Sequence, residues 1–152
     1  MCMCVICKKY LVVLFSVVTI LSCQKNQPNT RLNAIVVDVI GHEFNWYFRY
    51  PGQDGVLGSD DDQHSTRHLY LPDNAQVKLQ LKSKDYLYSL ALPDLQLKEI
   101  AVPEMVFELN FNSGNEGTMQ LLGDQFCGYT HKTLIGQVRV VNQDKGFYKW
   151  LR

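Results

Sequence analysis

Cys127 and His131 are the residues of this chain whose types and spacing best suit a transition metal. Thiolate and imidazole are ligands that copper and zinc favour. The run Gly123-Asp-Gln-Phe-Cys127-Gly-Tyr-Thr-His131-Lys-Thr-Leu134-Ile-Gly136 reads as a tight loop between two strands, able to aim both side chains at one point. Spacing alone equally accommodates a small buried cysteine beside a surface histidine. A third ligand to a single ion would have to come from His42, His64, His68, Met105 or Met119. Those histidines read as solvated loop and strand-edge residues, and Met119 as core filler. Asp60-Asp61-Asp62 reads as a solvated acidic loop rather than a calcium site. Neither G-x-S-x-G nor H-E-x-x-H is present, so nothing points to a hydrolase.

The elements that must position these residues are short strands. Ala34–Ile40 is rich in β-branched residues. In Gly41–Tyr50, Phe44, Trp46 and Phe48 alternate with Asn45, Tyr47 and Arg49, an aromatic strand pattern whose rings are expected to pack in the core. Pro51–Gln63, with three glycines and four aspartates, is a loop. Strands are predicted over His68–Leu71, Gln76–Ser83 and Tyr86–Leu92, and Leu95–Pro103 is predicted to be irregular with a buried corner at Ala101-Val102-Pro103. Met105, Phe107, Leu109 and Phe111 are predicted to line one face of a strand, followed by a turn over Asn112–Gly117. Thr118–Leu122 and Gln137–Val141 flank the metal-type loop, and 142–152 is a small helix or a loose tail. Seven or eight short strands at this spacing predict an all-β antiparallel sandwich or barrel.

The first 23 residues read as a targeting segment. Lys8 and Lys9 precede the apolar run Tyr10–Leu21, too short for a comfortable membrane span and suited to a signal-peptide core. Ile20-Leu21-Ser22-Cys23 then resembles a bacterial lipobox, in which Cys23 is lipidated and becomes the new N-terminus. Residues 24–32 form a polar tether, 33–141 one domain, and 142–152 a C-terminal tail. Cys2, Cys4 and Cys7 would leave with the signal, so the exported domain keeps Cys127 as its single thiol and has no internal disulfide. Such a thiol in an oxidising compartment calls for burial or a metal. Lysine plus arginine equals aspartate plus glutamate at 15 each, which gives no nucleic-acid footprint.

Several of these stretches together resemble the CuA domain of cytochrome c oxidase subunit II. Its metal loop carries C-x-E-x-C-G-x-x-H-x-x-M, and Cys127, Gly128 and His131 match the second cysteine, the glycine and the histidine. Gly41-His-Glu-Phe-Asn-Trp-Tyr-Phe-Arg-Tyr-Pro-Gly is similar to the family's aromatic strand, and Asp54-Gly-Val-Leu-Gly58 to the loop after it. Ser83–Ser89 with Leu92-Pro93-Asp-Leu is similar to the run holding the family's first copper histidine. Lys98-Glu-Ile-Ala101-Val102-Pro103 matches its K-x-D-A-V-P corner.

The resemblance implies a cupredoxin-like Greek-key β-sandwich or barrel. In the family this domain holds two copper ions bridged by two thiolates, takes electrons from cytochrome c and passes them to haem. Here Tyr88 stands at the first histidine, Gly123 at the first cysteine, Gln125 at the glutamate and Leu134 at the methionine. A bridged pair needs both sulfurs, so no CuA centre is expected. The family also places two membrane helices ahead of the domain; this chain presents one short apolar run, and that docking hairpin is not expected. Taken with the lipobox at Cys23, the resemblance then implies a lipid-anchored, periplasm-facing protein of the bacterial envelope. It implies a protein associated with respiratory electron transfer but not catalytic alone, retained as a structural or docking part beside respiratory oxidase subunits or a cytochrome c. The alternative is a mononuclear copper-binding or copper-delivery protein using Cys127 and His131.

Overall fold

Alternating apolar and polar residues lay down the sheets. In the computed structural model, which describes residues 34–125, 131–143 and 147, ten strands form two five-stranded sheets. One sheet runs in the order β3 (Gln63–Thr66), β2 (Asn45–Tyr50), β1 (Ala34–His42), β5 (Gln76–Ser83) and β8 (Phe107–Asn112). The other runs β4 (His68–Pro72), β10 (Gly136–Val141), β9 (Gly117–Gln125), β6 (Tyr88–Leu92) and β7 (Leu97–Ala101). The strands from β3 to β6 switch sheets at every connection, which makes the two-sheet sandwich that the strand pattern predicts and the cupredoxin-like arrangement that the resemblance implies. It is not wholly antiparallel. β1 pairs with β5, and β4 with β10, in parallel, because each partner arrives only after the chain has visited the opposite sheet.

The period-2 pattern is clearest in β5, where Val77, Leu79, Leu81 and Ser83 are buried and Lys78, Gln80 and Lys82 are not. Trp46, Phe48 and Tyr50 of β2 fill the space between the sheets beside Val37, Val39, Leu69, Leu71, Leu90 and Val138. Phe147, within the expected tail, is fully buried, and its ring meets Tyr50 edge-on.

The outer face of the first sheet carries a buried charge. Asp38, with a side chain 1% exposed, accepts from Arg49 Nε at 3.2 Å and from Arg49 Nη2. Its other oxygen accepts from Lys82 Nζ at 2.7 Å. Arg49 Nε also lies 3.5 Å from Asp62 Oδ2. One carboxylate therefore ties β1 to β2 and, through Lys82, to β5, while its arginine reaches the acidic loop.

Several expectations are corrected. Leu97–Ala101 is strand β7, not irregular chain: a short 3₁₀ turn over Pro93–Leu95 and Gln96 in the left-handed region (φ 55°) return it against β6. Lys98 and Glu99 hid it, since only Ala101 of this strand is buried and no apolar alternation marks it. Gln63–Thr66 is likewise an edge strand, at the end of the expected loop. Met105 does not line the core and is 53% exposed, because Glu104 at φ 63° interrupts the chain before β8 begins at Phe107. Tyr86 and Leu87 lie in a loop ahead of β6 and are exposed. Phe44 is not in the aromatic strand. With Glu43 it forms a two-residue hairpin turn between His42 and Asn45, both in the left-handed region at φ 47° and 59°. Turns of this kind ordinarily use Asn and Gly, and each side chain here costs about 1–2 kcal/mol of strain.

Candidate functional site

The metal-type loop begins later than the sequence predicts. β9 continues through Gln125, so Gly123 and Asp124 are strand residues, with Gly123 opposite Leu90 and Gln125 opposite Tyr88 of β6. Cys127 lies outside the described residues, as does Cys23; for Gln125 the backbone alone is described. The chain is next described at His131, followed by a 3₁₀ turn over Lys132–Leu134 and the start of β10. Leu134 is fully buried.

Around Gly123 the space is filled by aromatic and backbone atoms. A Cβ at this position would come within 2.9 Å of the Leu134 carbonyl oxygen and 3.0 Å of Trp46 Cε2, and closer still to Trp46 Nε1. The Trp46 N–H is buried without a hydrogen-bond partner among the described residues. Tyr88 is accommodated in the same manner. Its ring lies over Gly41, where a Cβ would come within 2.9 Å of Cε2 and closer to Cδ2. Trp46 and Tyr88 meet edge-on, with centroids 5.7 Å apart at 60°. Two large rings thus rest on two glycines from different sheets.

His131 is drawn into the same aromatic group. Its imidazole stacks on Phe44, with centroids 4.1 Å apart and planes 20° apart. Phe44 also stacks on Tyr86 at 5.3 Å and 16°, and meets Tyr88 edge-on at 6.5 Å. Thr133 Oγ1 donates to the Phe44 carbonyl, which holds the turn after His131 against the Glu43–Phe44 turn.

The candidate third ligands are scattered. His42 Nδ1 lies 3.4 Å from Asp85 Oδ2. His64 sits on edge strand β3 opposite Arg49. His68 opens β4, where burial and the charges of Arg139 and Arg67 hold its pKa below the usual histidine value. Met105 is exposed in a loop, and Met119 lies on β9 opposite Val138, packed against the core. Among the described residues, no group of three or more His, Cys, Asp or Glu side chains converges on one point.

Asp85 is the hydrogen-bonding centre of this end of the domain, a role that sequence reasoning missed. Its Oδ2 accepts from the Glu43 N–H at 2.7 Å, and its Oδ1 accepts from the Tyr86 N–H and the Tyr88 hydroxyl, each at 2.8 Å. The Tyr88 oxygen in turn accepts from the Phe44 N–H at 3.2 Å. The one available signal was Asp85-x-x-Tyr88 at the mouth of a strand. Burial raises the Asp85 pKa, but the hydrogen bonds from Glu43, Tyr88 and Tyr86, with His42 nearby, outweigh it and hold the carboxyl below the ordinary range. Burial, with the Asp85 carboxylate beside it, pushes the Tyr88 phenol up to about 12.

A depressed carboxyl pKa stabilises the fold above the unfolded value and loses that contribution as pH falls through the folded value. Thermal unfolding should therefore show stability falling below about pH 4, and Asp85→Asn should flatten that part of the profile. Some acid sensitivity should persist in the variant, because Asp61 is depressed too, chiefly by the Ser59 hydroxyl. Identical profiles for the two proteins would count against this role.

Comparison with known proteins agrees with this architecture. The model of the cytochrome c oxidase subunit II periplasmic domain matches residues 35–141. The alternative cytochrome c oxidase subunit 2 of Bradyrhizobium diazoefficiens is 28% identical over 78% of this chain and 50% of its own length. Cytochrome c oxidase subunit 2 of Thermostichus vulcanus is 30% identical over 78% of this chain and 33% of its own. The chain thus spans half or less of the length of these relatives. The crystal structure of the periplasmic domain of cytochrome oxidase subunit II from Bradyrhizobium japonicum matches with a TM-score of 0.62 at 20% identity. That match covers 77% of this chain and 90% of the solved one, a likeness of fold. With its sandwich matched from β1 to β10, the chain belongs to the family of cytochrome c oxidase subunit II periplasmic domains.

Proposed function

We propose that this chain is a subunit II-type cupredoxin domain that has given up the dinuclear copper centre and serves a respiratory oxidase as a structural or docking part. A lipid on Cys23 holds it at the bacterial envelope, and residues 24–32 are the tether. The observation that carries the reading is the packing at Gly123. A bridging thiolate there has neither a side chain to come from nor room to stand in, since the Trp46 indole and the Leu134 carbonyl take the space. The other matched positions support it. Tyr88 turns a phenol toward Asp85 in place of an imidazole, and Leu134 offers buried methyl groups in place of a thioether sulfur. The residues present do not fit a thiolate-bridged copper pair.

The fold persists without the metal because apolar faces of both sheets hold it. Copper titration of the reduced full chain, followed by absorption and paramagnetic resonance, tests the proposal. The expected result is no mixed-valence signal at any copper ratio. A purple mixed-valence spectrum overturns it. Tight one-to-one binding that disappears in Cys127→Ser would instead favour the mononuclear copper reading built on Cys127 and His131.

A further inference from the structure

A metal site ties together the segments that carry its ligands, so binding energy becomes folding energy at that end of the domain. Three segments meet here: the Glu43–Phe44 turn, the Asp85–Tyr88 stretch leading into β6, and the His131–Leu134 turn leading into β10. We propose that Tyr88 and Asp85 form a metal-free latch that joins these segments and sets the position of His131. The inference rests on the reading of this end as lacking dinuclear copper.

The hydrogen bonds support the latch one by one. Glu43 and Phe44 are both held in the left-handed region, which persists only where surroundings impose it. The backbone N–H groups of both residues are taken by the latch, Glu43 by Asp85 Oδ2 at 2.7 Å and Phe44 by the Tyr88 oxygen at 3.2 Å. Tyr88 gives its own hydroxyl proton to Asp85 Oδ1 at 2.8 Å, so donor and acceptor capacities of the phenol are both used. The turn held in this way presents its Phe44 carbonyl to Thr133 and its Phe44 ring to the His131 imidazole. Tyr88 itself is fixed from behind by Gly41 and Trp46. Position 88 is where the resemblance places a copper histidine. A phenol there reaches across to the neighbouring turn and does by hydrogen bonds what a shared ion does by coordination.

The test is amide hydrogen exchange on the chelator-treated full chain, wild type against Tyr88→Phe. Loss of both phenol hydrogen bonds should cut protection about tenfold at Glu43, Phe44 and Leu134. The Leu134 amide reports the third segment through its bond to the His131 carbonyl at 3.0 Å. Leu79 and Leu81, in the middle of β5, should keep wild-type protection, and the His131 ring protons should lose part of the ring-current shift from Phe44. Unchanged exchange at Glu43 and Phe44, or equal loss throughout the sandwich, overturns the proposal. Should Tyr88→Phe not fold, Asp85→Asn read at Glu43 and Tyr86 decides it on the same criteria. Chelator treatment separates this outcome from copper binding: a mixed-valence spectrum in the titration overturns the functional reading and leaves the exchange result standing.

Discussion

Gly123→Ala should destabilise the domain by about 3 kcal/mol, at the upper end for inserting one carbon into a packed interior. The new methyl would overlap the Trp46 indole and the Leu134 carbonyl. Neither neighbour yields easily: one is a fully buried ring and the other is backbone. The strand conformation itself is no obstacle, since Gly123 is paired within β9 and is absent from the glycines with positive φ. The cost is therefore one of space. A variant with a smaller ring at the same place, Trp46→Phe, should recover part of the loss when combined with Gly123→Ala. Coupling of about 1 kcal/mol or more in this double-mutant cycle is the expected signature of direct contact. Additive effects would mean that the two residues do not share the space. Gly123→Cys should fare no better than alanine, because its Cβ meets the same indole and carbonyl atoms.

Asp38→Asn should cost about 3 kcal/mol, for a different reason. The carboxylate is buried between two cations, Arg49 and Lys82, and asparagine keeps its shape while removing its charge. Two cations are then left facing a neutral amide. The effect should stay at the lower end for a broken buried pair, because both cations are about one-third exposed and Arg49 keeps Asp62 at 3.5 Å. Lys82→Ala, which leaves the Asp38–Arg49 pair in place, should cost less. Denaturant unfolding with an unchanged m-value measures both. A loss below about 1 kcal/mol for Asp38→Asn would place this pair among ordinary surface ion pairs.

The two effects mark what could be read from the chain and what could not. Alternation in Gln76–Ser83 and the aromatic run after Gly41 were legible, because a half-buried strand exposes its period directly in residue type. Strands β3 and β7 were not, since β3 has no buried residue and β7 only Ala101, so neither shows an apolar alternation. By its spacing from Trp46, Phe44 fits the strand. Its left-handed backbone depends on Asp85 and Tyr88, about forty residues away in sequence.

Sequence by itself determined the fold class, and it raised the expectations attached to Cys127, His131, Tyr88, Gly123, Gln125 and Leu134. These are matters of residue identity and short-range period. Tertiary structure alone decided that Gly123 faces an indole, that Tyr88 lies over Gly41, that His131 stacks on Phe44, and that Asp38 is buried between its cations. Apart from the Asp38–Arg49 pair, which faces across the β1–β2 hairpin, each of those contacts joins segments that the chain brings together only after crossing from one sheet to the other. No local pattern encodes such a distance.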